Sequence, residues 1–213
     1  MAKKKTKKRK RAPWNKGYEV GQRDPFSPSD VIRIRKLLAK RGDAGLRDLA
    51  LFSTAIDTML RAPDLLGLTV QDVRKRNRVM RNTIELTTAS KGRNIQCTLS
   101  KATMKILEKW IKKSAKKPRD YLFTGRADGG SKAITARQLG RLVKAWAIGA
   151  RLDETSYGNE SLRRTRSIHI LNRTGNMEAV RVLLGLMDIG STARYLGDSK
   201  PVDALAVSRL HEI

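Results

Sequence analysis

Apolar positions recur at helical spacing along most of the chain. After the cluster Ser27-Pro28-Ser29-Asp30, where Ser27 or Ser29 can cap a helix, Val31, Ile34, Leu37 and Leu38 fall on one stripe. Gly42 and Gly45 punctuate. A second helix is expected over residues 46–60, with Leu49, Ala50, Phe52, Ala55, Ile56 and Met59 on a broad buried face. Pro63 interrupts, and residues 64–68 read as one more short turn of helix. The period then changes. Residues 79–88 alternate and are β-branched (Val79, Thr83, Ile84, Thr87), as a strand requires; Lys91-Gly92-Arg93-Asn94 reads as a turn, and residues 95–99 as the returning strand. Helical spacing resumes over residues 100–116, 135–150, 160–173, 177–185 and 192–196, with loops at 126–132 and 153–159. A last amphipathic stretch covers 202–210. Helices, one hairpin or small sheet, then helices make a mainly α, α+β chain.

Composition narrows what such a chain can do. At 213 residues it can bury a real core, and no apolar run approaches the roughly 18 residues of a membrane span. The N-terminus carries charge without the apolar stretch of a secretory signal. One cysteine, Cys97, cannot close an internal disulfide, and two histidines with one cysteine argue against a zinc site, so no metal is expected. The formal net charge is +26, which calls for a polyanionic partner, and nucleic acid fits best.

The charge is unevenly placed. Residues 3–11 hold eight basic side chains, Lys3, Lys4, Lys5, Lys7, Lys8, Arg9, Lys10 and Arg11. Such a block repels itself and is expected to stay disordered without phosphate to bind; a targeting signal is the alternative. The rest of the chain still carries +18. Residues 12–26, with Pro13, Gly17, Gly21 and Pro25, read as a linker, in which Trp14 and Tyr18 either pack on the body or stack on bases. The expected organisation is a basic tail and linker at 1–26, one domain at 27–200, and a C-terminal segment at 201–213.

Three stretches stand together: residues 58–73, with Arg61 at a helix end; residues 160–175, with Glu160-Ser161-Leu162-Arg163-Arg164-Thr165 and then Ile168-His169-Ile170-Leu171; and residues 182–197, with Leu184-Gly185-Leu186 and then Tyr195. In this order, with a hairpin lysine between the first two, they resemble the tyrosine site-specific recombinases, or phage-type integrases. The patterns of that family run T-G-L-R-x-x-E-L, H-x-L-R-H-T with T-H-L-L, and L-G-H with a tyrosine beyond. The resemblance covers about residues 28–200. It implies the catalytic-domain fold of that family and a DNA strand-exchange activity. A tyrosine attacks a backbone phosphate, leaving a covalent 3′-phosphotyrosyl link and a free 5′-hydroxyl, and a second strand reverses the step. Phosphodiester energy is kept in the link, so no nucleotide cofactor is needed.

By the same resemblance, Arg61 and Arg163 would clamp the transition-state phosphate, for which guanidinium has the matching bidentate geometry. Lys91 would protonate the leaving 5′-oxygen, and Tyr195 would be the nucleophile. Asp64 is read as orienting Arg61 or nearby backbone, and His169, among Ile168, Ile170 and Leu171, as a supporting histidine. Arg93 and Arg164, with the tail, are expected on DNA. Two positions depart from the pattern. Glu160 stands where the family carries His or Lys, and Leu186 where it carries His or Trp. Each lost donor corresponds to about 3 kcal/mol, by analogy with an oxyanion donor. Glu160 could act as a base, but it could equally be protonated, paired with Arg164 or turned away; Leu186 can only pack.

The resemblance further implies double-stranded DNA as partner, a homotetramer on DNA, accessory DNA-bending proteins in some systems, no membrane, and a cytoplasmic, nucleoid-associated place in a bacterium or phage. The short, catalytic-domain-only members, such as fimbrial phase-variation invertases, match best, with the basic tail standing in for the missing clamp. Residues 201–213 either close the chain's own core or exchange between protomers. Two rivals remain from sequence: a degenerate member that binds DNA without cutting it, and a basic structural nucleic-acid-binding protein.

Overall fold

A computed structural model describes residues 22–88, 92, 94–125 and 131–197. It is mostly helical. The first helix, α1 (Pro28–Lys40), opens on Ser27, whose Oγ accepts from the Asp30 amide at 3.2 Å while Asp30 Oδ2 accepts from the Ser27 amide at 3.1 Å. Of the two serines that could cap the helix, Ser27 does so, in a reciprocal capping box with Asp30. The second, α2 (Asp43–Thr58), starts three residues before the expected position, with Asp43 supplying first-turn negative charge. A short α3 (Ala62–Gly67) follows, then α4 (Val70–Val73), which the apolar pattern did not announce. Its signal lies in Thr69-x-x-Asp72, where Asp72 Oδ2 accepts from the Thr69 amide at 2.7 Å.

The hairpin pairs β1 (Thr83–Thr87) with β2 (Asn94–Thr98), antiparallel, Ile84 opposite Cys97. The expected first strand began at Val79. It begins later because the preceding backbone is already committed: Lys75 N–H donates to Val79 O at 2.8 Å and Arg81 N–H to Val73 O at 2.8 Å. Five helices complete the described chain: α5 (Lys101–Lys113), α6 (Ala136–Gly149), α7 (Asn159–Thr174), α8 (Met177–Leu184) and α9 (Ile189–Leu196). α9 starts three residues before the expected position because Asp188 caps it, its Oδ1 accepting from the Ser191 amide at 2.7 Å. Among the described residues, no helix is long and apolar enough to cross a membrane.

The main core centres on aromatic rings. Phe52 of α2 meets Trp146 of α6 edge-on at 5.5 Å and Phe26 at 6.0 Å, and Phe26 stacks on Tyr157 at 4.4 Å. Phe26 therefore corrects the linker reading. Residues 22–26 are a packed strap, with the Phe26 amide on Thr165 Oγ1 at 3.0 Å and its carbonyl 3.0 Å from His169 Nε2. The apolar pattern could not show this, because one phenylalanine beside Pro25 has no period. Phe26→Ala is expected to destabilise the domain by about 3–5 kcal/mol, the usual cost of emptying a buried phenylalanine site; urea unfolding checks it.

Cys97 is buried against the same core, its Sγ 3.8 Å from Ile84 O. Burial pushes its thiol up to about 12, with only the Arg166 charge opposing. The raised value keeps a proton on the folded thiol, so this contribution to stability is present below the unfolded thiol value of about 8.5 and fades as pH climbs above it. The folded protein is expected to resist iodoacetamide at pH 8 and to react once urea unfolds it. Rapid alkylation of the native chain would contradict the burial.

A smaller apolar cluster holds Met59 at the end of α2, Val180 and Leu184 of α8, and Leu196 of α9, with Leu186 and Tyr195 packed against it. It ties α9 to α2 and α8, and the candidate site is built over it.

Candidate active site

The first arginine stands at an elbow. After α2, Met59 takes a left-handed φ of +52°, and Arg61 is extended (φ −66°, ψ 151°) before α3 begins. Leu65 N–H closes the turn on Arg61 O at 2.9 Å. The Arg61 side chain is half-buried, and among the described residues its guanidinium takes no hydrogen bond. The recombinase pattern carries glycine where Met59 stands. A left-handed conformation costs a side-chain-bearing residue about 1–2 kcal/mol. Methionine offsets that by burying its thioether in the smaller cluster. Asp64, in the first turn of α3, is buried.

The second group comes from α7. Glu160 lies in its first turn, and Arg163, three residues on, shares that face and points inward. Arg163 is only 5% exposed; its Nη2 donates to Leu184 O at 2.5 Å, and its Nε is buried without a partner among the described residues. Such orphan donors are uncommon in folded proteins. Burial draws its proton affinity down and the nearby Arg61 charge adds to this, while Tyr195, Glu160 and Asp64 oppose both. Arg61 and Arg163 are thus close enough to repel, which an anion between them would relieve.

Tyr195 arrives from α9. Its hydroxyl donates to Glu160 Oε2 at 2.9 Å, and the Arg163 Cζ lies 5.6 Å from its ring centroid, within cation–π range. Burial pushes the phenol well above its ordinary value, the Glu160 charge and hydrogen bond push the same way, and Arg163 and Arg164 oppose. Glu160 is neither turned away nor paired with Arg164: it accepts the hydrogen bond of the tyrosine hydroxyl. No pattern in the sequence indicates this, because residues 160 and 195 lie on separate helices.

Leu186 packs, as its side chain dictates. It follows Gly185, which caps α8 at φ +61° with its α-carbon against β2; a side chain there would meet Ile95 Cγ2 at 3.0 Å. Arg181 Nη1 holds the turn by donating to Leu186 O at 2.8 Å. Met59 and Leu186 therefore replace two small or polar family residues with one apolar floor beneath Tyr195.

Arg164 corrects another expectation. It is 7% exposed rather than presented to DNA, with Nη2 on Leu196 O at 3.0 Å and Nη1 on Arg23 O. His169 supports the strap through Phe26 O. Arg166, not singled out from sequence, donates to Asp57 O near the end of α2. Lys91, Arg93, the tail residues Lys3 to Arg11, Trp14, Tyr18 and the segment 201–213 lie outside the described residues; the described strands flanking Lys91 in the sequence are β1 and β2.

The assembled groups are a phenol donating to a carboxylate, Arg163 beside its ring, and Arg61 within electrostatic reach of Arg163. That set can activate an oxygen nucleophile and hold an anionic, oxygen-rich reaction centre. The chain is 28% identical over 156 residues to the tyrosine recombinase XerD of Yersinia pestis, covering 70% of this chain and 49% of that one. It is 31% identical over 151 residues to the tyrosine recombinase XerC of Corynebacterium efficiens, covering 70% and 46%. The chain thus spans about half the length of these relatives. Among solved structures, the XerH site-specific recombinase bound to its difH substrate in a pre-cleavage complex superposes with a TM-score of 0.71 at 16% identity, over 92% of this chain and 56% of that one. That likeness establishes a shared fold. Residues 27–200 match the profile of the Phage integrase family, and the chain belongs to that family.

Proposed function

We propose that this protein is a site-specific DNA recombinase that cuts and rejoins strands through Tyr195. The observation that carries the reading is the Tyr195 hydroxyl on Glu160 Oε2 with Arg163 beside the ring and Arg61 within electrostatic reach of Arg163. In the forward step the Tyr195 oxygen bonds to a backbone phosphorus as the bond from phosphorus to the 5′-oxygen breaks. The phenolic proton passes to Glu160, and the departing 5′-oxygen takes a proton from Lys91, the residue at the family's general-acid position. Arg61 and Arg163 hold the non-bridging oxygens. The reverse step starts from the 5′-hydroxyl of another strand and returns the proton to Tyr195.

Glu160 suits this role despite its charge. Two unit charges 5 Å apart at an effective dielectric of about 20 repel by about 3 kcal/mol. The two arginines offset that repulsion when a phosphate binds. Double-stranded DNA is the partner, with four protomers joining two sites. The basic tail adds sequence-independent phosphate contacts.

A pool of singly nicked duplexes of randomised sequence tests the reading. The full chain should give an SDS-stable, protease-sensitive adduct on the 3′ side of the cut, and the recovered duplexes should converge on one sequence. Binding without an adduct would favour a non-cutting family member. Binding without sequence preference would favour a structural nucleic-acid protein.

A further inference from the structure

α9 is eight residues long, about 12 Å, and so short a helix is not stable by itself. Its last carbonyls have no partners within the helix and need outside donors. The Gly197 amide closes on Arg194 O at 3.2 Å, and two side chains add to it: Gln22 Nε2 donates to the same Arg194 O, and Arg164 Nη2 donates to Leu196 O at 3.0 Å. Tyr195 is the residue between those two carbonyls. The same Arg164 guanidinium reaches the other way to Arg23 O. The strap is itself anchored: Asp24 N–H donates to Ser156 O at 2.9 Å, Arg23 bonds Thr155 O, and the Phe26 amide bonds Thr165 of α7. Gly197, at φ +78°, closes the joint. A side chain there would meet Gln22 Oε1 at 3.0 Å and Arg164 Nη2 at 3.3 Å.

We infer that Arg164 and the strap residue Gln22 are positioning residues for the Tyr195 nucleophile, clamping the C-terminal end of α9 from both sides of the tyrosine. Asp188 fixes the other end of the helix through the Ser191 amide and hydroxyl, both at 2.7 Å. Between these anchors the tyrosine oxygen is set on Glu160. Arg164 acts through backbone carbonyls and does not touch the reacting phosphate, although it neighbours Arg163, which does in the proposed reaction. Buried guanidinium between two carbonyls also explains why arginine stands here: its planar fork spans both acceptors, whereas a lysine reaches one at a time.

This inference rests on Tyr195 being the nucleophile, so its test uses the duplex enriched in the adduct selection above. Single-turnover adduct formation is measured at saturating DNA, beside DNA affinity and its salt dependence, for Arg164→Met, Arg164→Lys and Gln22→Leu in the full chain. Gln22 is exposed, so its variant folds even if Arg164→Met does not. The clamp predicts a rate loss of about 10²-fold for Arg164→Met, the scale of an ångström-sized misplacement, a smaller loss for Gln22→Leu, and partial recovery in Arg164→Lys. Affinity and salt slope should match the wild type. A weaker affinity with the salt slope reduced by about one would mean that Arg164 contacts a phosphate, and would overturn the inference. Wild-type rates in both Gln22→Leu and Arg164→Lys would overturn it too. A wild-type chain that forms no adduct would instead sink the recombinase reading.

Discussion

Tyr195→Phe is expected to abolish the covalent adduct while leaving the protein folded and bound to DNA. The ring packs on the apolar cluster of Met59, Val180, Leu184 and Leu196, and phenylalanine keeps that packing and the contact with Arg163. Only the hydroxyl is lost. Its partner Glu160 is exposed, so the freed carboxylate is hydrated and little stability goes with the bond. Loss of the adduct with unchanged thermal stability at neutral pH therefore isolates the chemistry. The variant makes a second, independent prediction. Burial and Glu160 raise the proton affinity of the phenol in the folded state. A raised value contributes stability below the unfolded phenol value of about 10, and that contribution is lost as pH rises above it. The wild type should therefore lose thermal stability more steeply than Tyr195→Phe between pH 9 and pH 11. Parallel curves would contradict the half-buried, carboxylate-bonded tyrosine.

Glu160→Gln is expected to slow adduct formation by about 10²–10⁴-fold, the range for removing a positioned general base. Glutamine keeps the length and can still accept the tyrosine hydrogen bond, but it cannot take the proton. DNA affinity should rise slightly, because a negative charge beside the phosphate is gone. A variant that cuts at the wild-type rate would show that the proton leaves by another route. Glu160→His restores the residue type of the family pattern and gives a sharper readout. An imidazole becomes protonated about two pH units above a carboxylate. The acid limb of the rate profile should move toward neutral pH in Glu160→His, with activity retained near pH 7.5. An unmoved limb would mean that residue 160 is not the group whose ionisation governs the rate.

The two positions that looked like losses in the sequence acquire different meanings. Leu186 removes a donor outright and lowers the polarity under the tyrosine, and Met59 at the end of α2 adds apolar surface to the same cluster. Glu160 supplies a proton acceptor on the opposite side. A less polar floor disfavours the phenolate, so the base that faces it has more to do. This pairing is why the Glu160 and Tyr195 variants carry the largest expected effects.

Much of the fold was legible because it rests on local chemistry. Ser27, one of the two serines offered, caps α1, Thr135 caps α6, and the β-branched run from Thr83 turns the chain into a hairpin. The short elements were harder. α4 spans four residues, too few for a period to show, and Val79–Arg81 has strand composition but pairs with its own preceding turn. The arginines mark the limit most clearly. By type and spacing, Arg163 and Arg164 are neighbours with similar prospects of meeting DNA. Their fates differ by 100° of helix rotation, which turns one toward Tyr195 and the other toward the strap and the end of α9.

The sequence by itself determined which residue types are available for the chemistry: one tyrosine following two arginine motifs in a fixed order, a strongly basic chain, and helices broken by a single hairpin. Caps, periods and motif spacing are short-range, so they can be read without a partner segment. Only the tertiary structure decided which groups meet. Residues 160 and 195 are brought together by α7 and α9 closing over one apolar cluster, and residues 22–26 become part of the domain because Phe26 fills a ring of aromatic neighbours. Such contacts join positions as many as 172 residues apart, as between Gln22 and Arg194, and no local preference encodes a distance of that kind.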